Sequence, residues 1–166
     1  MTGSARSGVF MTLCCAALVG CATEGSEVYR DVDRPIGASS RFDAGAFAGE
    51  WMLAASFTPA RLEPVRITYA PEVQQIRVTS DEAPQIAGVY SEGVPGELIP
   101  LREDGERLIV MWVDEDYDTA AVGTVSGSFG AVLDRDGELP ADRARAARDI
   151  LAFYGWDVAQ LKRTKP

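Results

Sequence analysis

From Gly49 to Arg135 the chain alternates apolar and polar residues in short runs, each broken by turn residues. Val65-Arg66-Ile67-Thr68-Tyr69 alternates cleanly and stops at Pro71. Similar runs cover Trp51 to Phe57, Val73 to Thr79, Ile86 to Tyr90, Glu97 to Leu101, Arg107 to Val113, Thr119 to Val125 and Ser128 to Leu133. A period of two is the mark of a half-buried strand. Asp104-Gly105 and Gly127-Ser128 are hairpin-type turns. Eight such strands at near-regular spacing predict a closed antiparallel barrel or a sandwich.

Beyond Pro140 the period changes. Ala144, Ala147, Ile150, Leu151 and Tyr154 form one apolar stripe at helical spacing. Pro140 suits a first helical turn, Asp142 favours the positive end of the helix dipole, and Gly155 is a natural left-handed stop. A single amphipathic helix after eight strands is expected to pack on the outside of the sheet.

The first residues follow another pattern. Arg6 is the sole charge before Glu24, and an apolar run from Val9 to Gly20 lies between them. The run is too short to span a bilayer, which needs about 20 apolar residues. It reads as a secretory signal. Its end, Leu18-Val19-Gly20-Cys21, resembles the lipobox of bacterial lipoproteins. That resemblance implies a diacylglycerol on the Cys21 sulfur, cleavage before Cys21 and acylation of the new amino group. It divides the chain into a signal peptide (1–20), a lipidated tether (21–41) and one domain (42–166). Ala22 suits outer-membrane sorting, facing the periplasm. Residues 22–41 are polar and turn-rich, and as a flexible chain would reach about 25 Å. The other two cysteines, Cys14 and Cys15, fall in the signal, so the mature chain has no disulfide and the barrel relies on its core.

Charge narrows the partners. The whole chain carries −9, and loss of Arg6 with the signal leaves −10. An acidic domain repels phosphate backbones, so nucleic acid is not an expected partner. Anionic headgroups would be repelled as well, which leaves membrane attachment to the acyl chains.

Four short segments, in order, resemble the lipocalins, and the bacterial outer-membrane lipocalins in particular. They are Phe42-Asp43 with Phe47-Ala48-Gly49-Glu50-Trp51; Asp114-Glu115-Asp116-Tyr117 followed by Ala120-Ala121-Val122-Gly123; Val132-Leu133-Asp134-Arg135; and Tyr154-Gly155-Trp156-Asp157-Val158. The resemblance implies an all-β, eight-stranded antiparallel up-and-down barrel with one C-terminal helix outside. It also implies that Trp51 closes one end with Arg135 stacked on its indole, where Gly49 lets the chain enter the first strand. Two departures stand out. Trp51 to Arg135 spans only 85 residues, compact for the family, which predicts short strands and a shallow cavity. Glu115 stands where the family often has Thr.

The resemblance places a small hydrophobic ligand, of the fatty acid or lysolipid class, among inward-facing side chains. Alternation counted from Asp116-Tyr117 puts Val110 and Trp112 inside on the sixth strand and Ala121, Gly123 and Val125 inside on the seventh. Ile67 and Tyr69 are the inward set on the second. Small Ala121 and Gly123 beside Trp112 would open a hollow. Equally, Trp112 would fill the barrel, since eight strands sit at the boundary between filled and hollow.

Catalysis has little to draw on. The chain contains no His, which removes the commonest general base and metal ligand. No mature thiol is free. Asp114, Glu115, Asp116 and Asp118 lack the spacing of a calcium loop, and Ser126-Gly127-Ser128 is a turn without a partner base. No metal and no cofactor are expected, and the protein is expected to be a monomer. The expected function is a carrier of an apolar molecule, the alternative is a structural or assembly lipoprotein with a filled barrel that binds another envelope protein, and the third reading, a lipocalin-type enzyme, is not expected.

Overall fold

A computed structural model describes residues 27–166, with Met1 and Gly3. Cys21 and the apolar run before it lie outside the described residues. Eight strands run in order around a barrel: β1 (Gly49–Ser56), β2 (Pro64–Ala70), β3 (Gln75–Thr79), β4 (Gly88–Glu92), β5 (Glu97–Pro100), β6 (Leu108–Val113), β7 (Thr119–Thr124) and β8 (Gly130–Asp134). Each pairs antiparallel with the next, and β1 closes the ring by pairing with both β2 and β8. Closure leaves these strands without an open edge. The helix α1 (Ala44–Phe47) precedes β1, capped by the Asp43 carboxylate on the Ala46 N–H at 2.7 Å.

Strand β2 shows the expected alternation, with Val65 and Ile67 buried and Arg66 and Thr68 exposed. Strands β7 and β8 are buried on both faces. The cause is helix α2 (Ala141–Phe153), which packs against the outside of β6 and β7 with Ala147 and Leu151 inward. Gly155 ends the helix at φ +90°. Pro140 occupies the cap position, and its carbonyl accepts from the Ala144 N–H at 2.8 Å.

Two irregularities change which face a side chain takes. In β6 the register slips between Val110 and Trp112, leaving Met111 as an extra residue. In β1 it slips between Leu53 and Ala55. Such bulges place consecutive side chains on one face. Ile86, expected to open a strand, instead ends a 3₁₀ turn, Pro84–Ile86. A ninth strand, β9 (Lys162–Arg163), pairs with Ala55 and Ser56 of β1 and has no counterpart in the periodicity.

Residues 27–41, expected to belong to a flexible tether, are laid along the barrel instead. The Tyr29 N–H donates to the Gly127 carbonyl, Asp31 to Gly155 and Ser39 to Val110, at 2.9, 2.9 and 2.8 Å. The guanidinium of Arg30, only 6% exposed, donates to the carbonyls of Val125, Tyr154 and Arg34. Burial holds the pKa of Arg30 below its ordinary value, with Asp31 pulling the other way. A buried cation is tolerable only when its donors are matched, which explains why the segment is fixed here.

Candidate functional site

The barrel has a closed end at Trp51. The Trp51 Nε1–H donates to the Phe47 carbonyl at 2.8 Å, which joins α1 to the first strand. Phe42, Phe47 and Trp51 stack in series with ring centroids 5.1 Å apart at each step. Arg135 covers the indole, its Cζ 3.8 Å from the ring centroid. Its five-donor fork binds the carbonyls of Tyr117, Glu50, Ala46 and Ala48 at 2.9–3.2 Å. Gly49 adopts φ +125°, and a Cβ there would lie 2.6 Å from the Arg135 Nη1, so both backbone and space require glycine.

The acidic segment beside this end is a turn. The Asp114 carboxylate accepts from the N–H groups of Asp118 and Thr119, each at 2.8 Å. Arg143 of α2 pairs with Asp118 at 3.0 Å and Asp114 at 3.4 Å. Among the described residues no carboxylate group is arranged to hold a metal ion. Tyr117, at φ +60°, donates its hydroxyl to the Arg41 carbonyl and accepts from the Asp43 N–H, at 2.6 and 2.7 Å.

At the opposite end Phe129, Ile86 and Ala83 close the mouth, with exposures of 0, 1 and 0%. Phe129 hangs from the β7–β8 turn, which Thr124 Oγ1 holds by accepting from the Phe129 N–H at 3.1 Å. The Tyr90 hydroxyl donates to the Ile86 carbonyl at 2.7 Å. Burial raises the Tyr90 pKa above that of a free phenol, keeping it a donor.

Between the ends lie Leu53, Val65, Ile67, Ile76, Leu98 and Val110, at most 2% exposed. A void large enough for an acyl chain would expose much of its lining to a water-sized sphere, and these residues show no such exposure, so at the scale of a ligand the interior is filled. Of the buried polar residues Thr124 also faces inward, and the polar atoms of Trp51, Tyr90 and Thr124 are hydrogen-bonded.

Of the residues expected to face inward, Val110 and Ile67 lie in this core, and Tyr69 packs half-buried against it. Trp112, Ala121, Gly123 and Val125 do not; they lie on the outer face, in the layer under α2 and the chain termini. The Met111 bulge turns Trp112 outward, where it pairs with Ala121. On β7 the inward set is Ala120, Val122 and Thr124. Counting faces across the Asp114–Asp118 turn fails because a turn does not preserve the parity of a strand. Gly123 and its cross-strand partner Gly130 instead seat the Trp156 indole: a Cβ on either would lie 2.3 or 2.4 Å from that ring. Facing outward, Trp112 neither borders a hollow beside Gly123 nor fills the barrel, the two alternatives the sequence leaves open.

The mouth residues Phe129, Ile86 and Ala83 carry only a faint signal in the sequence: one Phe after a Ser-Gly-Ser turn and an apolar residue on either side of Pro84-Gln85.

No protein-family model matches the chain, and no curated protein matches it significantly. Solved structures do. Lobster apocrustacyanin A1 superposes with a TM-score of 0.55 at 12% identity, over 73% of this chain and 78% of that one. Apocrustacyanin C1 gives 0.58 at 11%, over 74% and 79%. The siderocalin Ex-FABP, which functions through dual ligand specificities, gives 0.54 at 10%, over 73% and 95%. At these identities the likeness concerns architecture. The eight-stranded closed antiparallel barrel, with its C-terminal helix against β6 and β7, is the lipocalin fold.

Proposed function

We propose that this protein is an envelope lipoprotein, anchored through Cys21 to the outer membrane and facing the periplasm, that acts as a monomer and binds a small hydrophobic ligand without metal, cofactor or catalysis. One observation carries the binding reading: a lipocalin barrel whose interior is lined mainly by apolar side chains, with the polar atoms of Trp51, Tyr90 and Thr124 hydrogen-bonded. Such an interior offers a fatty acyl chain a favourable medium and offers a reaction nothing. The siderocalin among the structural neighbours functions through ligand binding. The anchor rests on the lipobox-like Leu18-Val19-Gly20-Cys21.

The filled interior sets the terms. Phe129 and Ile86 stand on a turn and a 3₁₀ segment rather than on the ladder, so they are the groups to swing aside. Exposing one Phe costs about 1.5–3 kcal/mol, which lowers affinity about 10- to 100-fold. The expected ligand is short and weakly bound. A second reading is favoured by the same packing: a structural or assembly lipoprotein that presents its surface to another envelope protein.

Native mass spectrometry with saturated fatty acids of increasing chain length separates the two. Phe129→Ala removes the stopper and is expected to bind at least about tenfold more tightly than the wild type. If neither protein binds at any length, the filled barrel is the working state and the ligand reading fails.

A further inference from the structure

The chain has only two lysines, Lys162 and Lys165, and both lie in its last five residues. Strand β9 carries them to the mouth end of the barrel, where they meet the β1–β2 loop. Together these segments wall a groove of about 340 Å³. Arg61, Lys162, Arg163 and Lys165 line it, with Phe57 and Ala60 as apolar surface. Lys162, Arg163 and Lys165 are exposed along this edge, with the Arg163 guanidinium donating to the Glu138 and Leu139 carbonyls, and Arg61 is 72% exposed. Glu82, 3.7 Å from Arg61, offsets one charge. Among the described residues neither lysine has a carboxylate within 4.0 Å. A cationic groove in a chain of net charge −9 is a local reversal of sign.

Its place matters as much as its charge. Tyr29 packs on Phe57 with ring centroids 5.8 Å apart, and Glu27 lines a neighbouring surface with Thr58, a residue that also lines the groove. The segment at Glu27–Tyr29 therefore runs beside the groove. Cys21 lies six positions before Glu27, a span of at most about 20 Å even when extended.

We propose that this groove is a docking surface for the headgroups of anionic phospholipids in the bilayer that holds the anchor, so that the barrel rests on the membrane mouth end first. The inference builds on the Cys21 anchor of the proposed function. With the short span the groove comes within reach of headgroup phosphates, and exposed cations act over about a Debye length, roughly 8–10 Å. The net charge alone predicts repulsion from such a surface; the clustering of four cations at one end overturns that expectation locally.

Because the chain has just two lysines, a water-soluble amine-reactive reagent reads this surface directly. The mature lipidated protein is reconstituted into vesicles of phosphatidylcholine, with or without phosphatidylglycerol, and labelling is followed by mass spectrometry. Labelling of Lys162 and Lys165 is expected to slow severalfold on the anionic vesicles and to recover in high salt. Equal labelling on both vesicles, with the protein still anchored, overturns the docking surface and leaves the anchor intact. Equal protection by inorganic phosphate on phosphatidylcholine vesicles also overturns it and assigns the groove to a soluble anion. Failure of the protein to float with either vesicle in high salt is the separate result that removes the anchor.

Discussion

The guanidinium of Arg135 is spent in two ways, flat over Trp51 and edge-on to four carbonyls. Burial pulls its pKa below the ordinary arginine value while Asp118 opposes the change. Trp51→Ala opens a large cavity and is expected to cost about 3–5 kcal/mol, a large part of the ~5–15 kcal/mol of a typical domain. In a double-mutant cycle read by denaturant unfolding, Trp51 and Arg135 are expected to couple, because the cation–π contact is lost in either single variant. Strictly additive effects would mean that the stacking adds nothing. Glu92 poses the opposite case. Burial raises its pKa above the usual 4.5, the Gly96 N–H lowers it and Asp43 raises it again. The folded state thus holds the proton more tightly than the unfolded one, and this group's contribution to stability falls as pH rises from the unfolded pKa through the folded one. Glu92→Gln is expected to raise the melting temperature at neutral pH, with the gain fading as pH falls through the raised folded pKa and gone below the unfolded value. An equal gain at both pH values would show that ionisation is not the cause.

At the scale of elements, the sequence was legible wherever one face of a strand is wet. Strand β2 alternates because Arg66 and Thr68 meet solvent while Val65 and Ile67 meet the core. Strands β6, β7 and β8 read as plain apolar runs because α2 and the termini cover their outer faces. Alternation then carries no information about facing, and the inward set on β7 was assigned to the wrong parity. The closed-end residues Gly49, Trp51 and Arg135 were legible through resemblance, since they recur as short ordered segments. Strand β9 was not, because two residues make no period. The pairing of Gly123 with Gly130 was visible only as two glycines in neighbouring strands, and their meaning depended on Trp156 arriving from beyond the helix. Trp156 is 3% exposed, its Nε1 has no hydrogen-bond partner, and its ring lies 4.9 Å from Phe57. Gly123→Ala is expected to cost about 1–3 kcal/mol by driving that ring off its seat. Adding Trp156→Phe, a smaller ring without the unpaired N–H, is expected to restore part of the loss in thermal unfolding. A Gly123→Ala protein as stable as the wild type would mean that the ring shifts freely.

Over the whole molecule, an inner core fills the barrel and an outer layer joins α2, the N-terminal segment and Trp156 to its surface. The inner core leaves a ligand only what it can displace, which is why the binding reading predicts low affinity rather than a deep pocket. The outer layer ties the segment around Arg30 to Trp156 by a bridge and Lys162–Arg163 to β1 through β9. Ring closure has a consequence for the order of events in synthesis. Strand β1 is made early, yet its partner β8 pairs Asp134 with Met52, so the ring stays open until most of the chain exists. Folding dominated by such distant contacts runs in about milliseconds to seconds rather than microseconds. Throughout that interval β1 and β8 are bare edges that invite pairing with other chains. A chaperone that shields unpaired strands would serve this chain longer than it would serve a helical bundle of equal length.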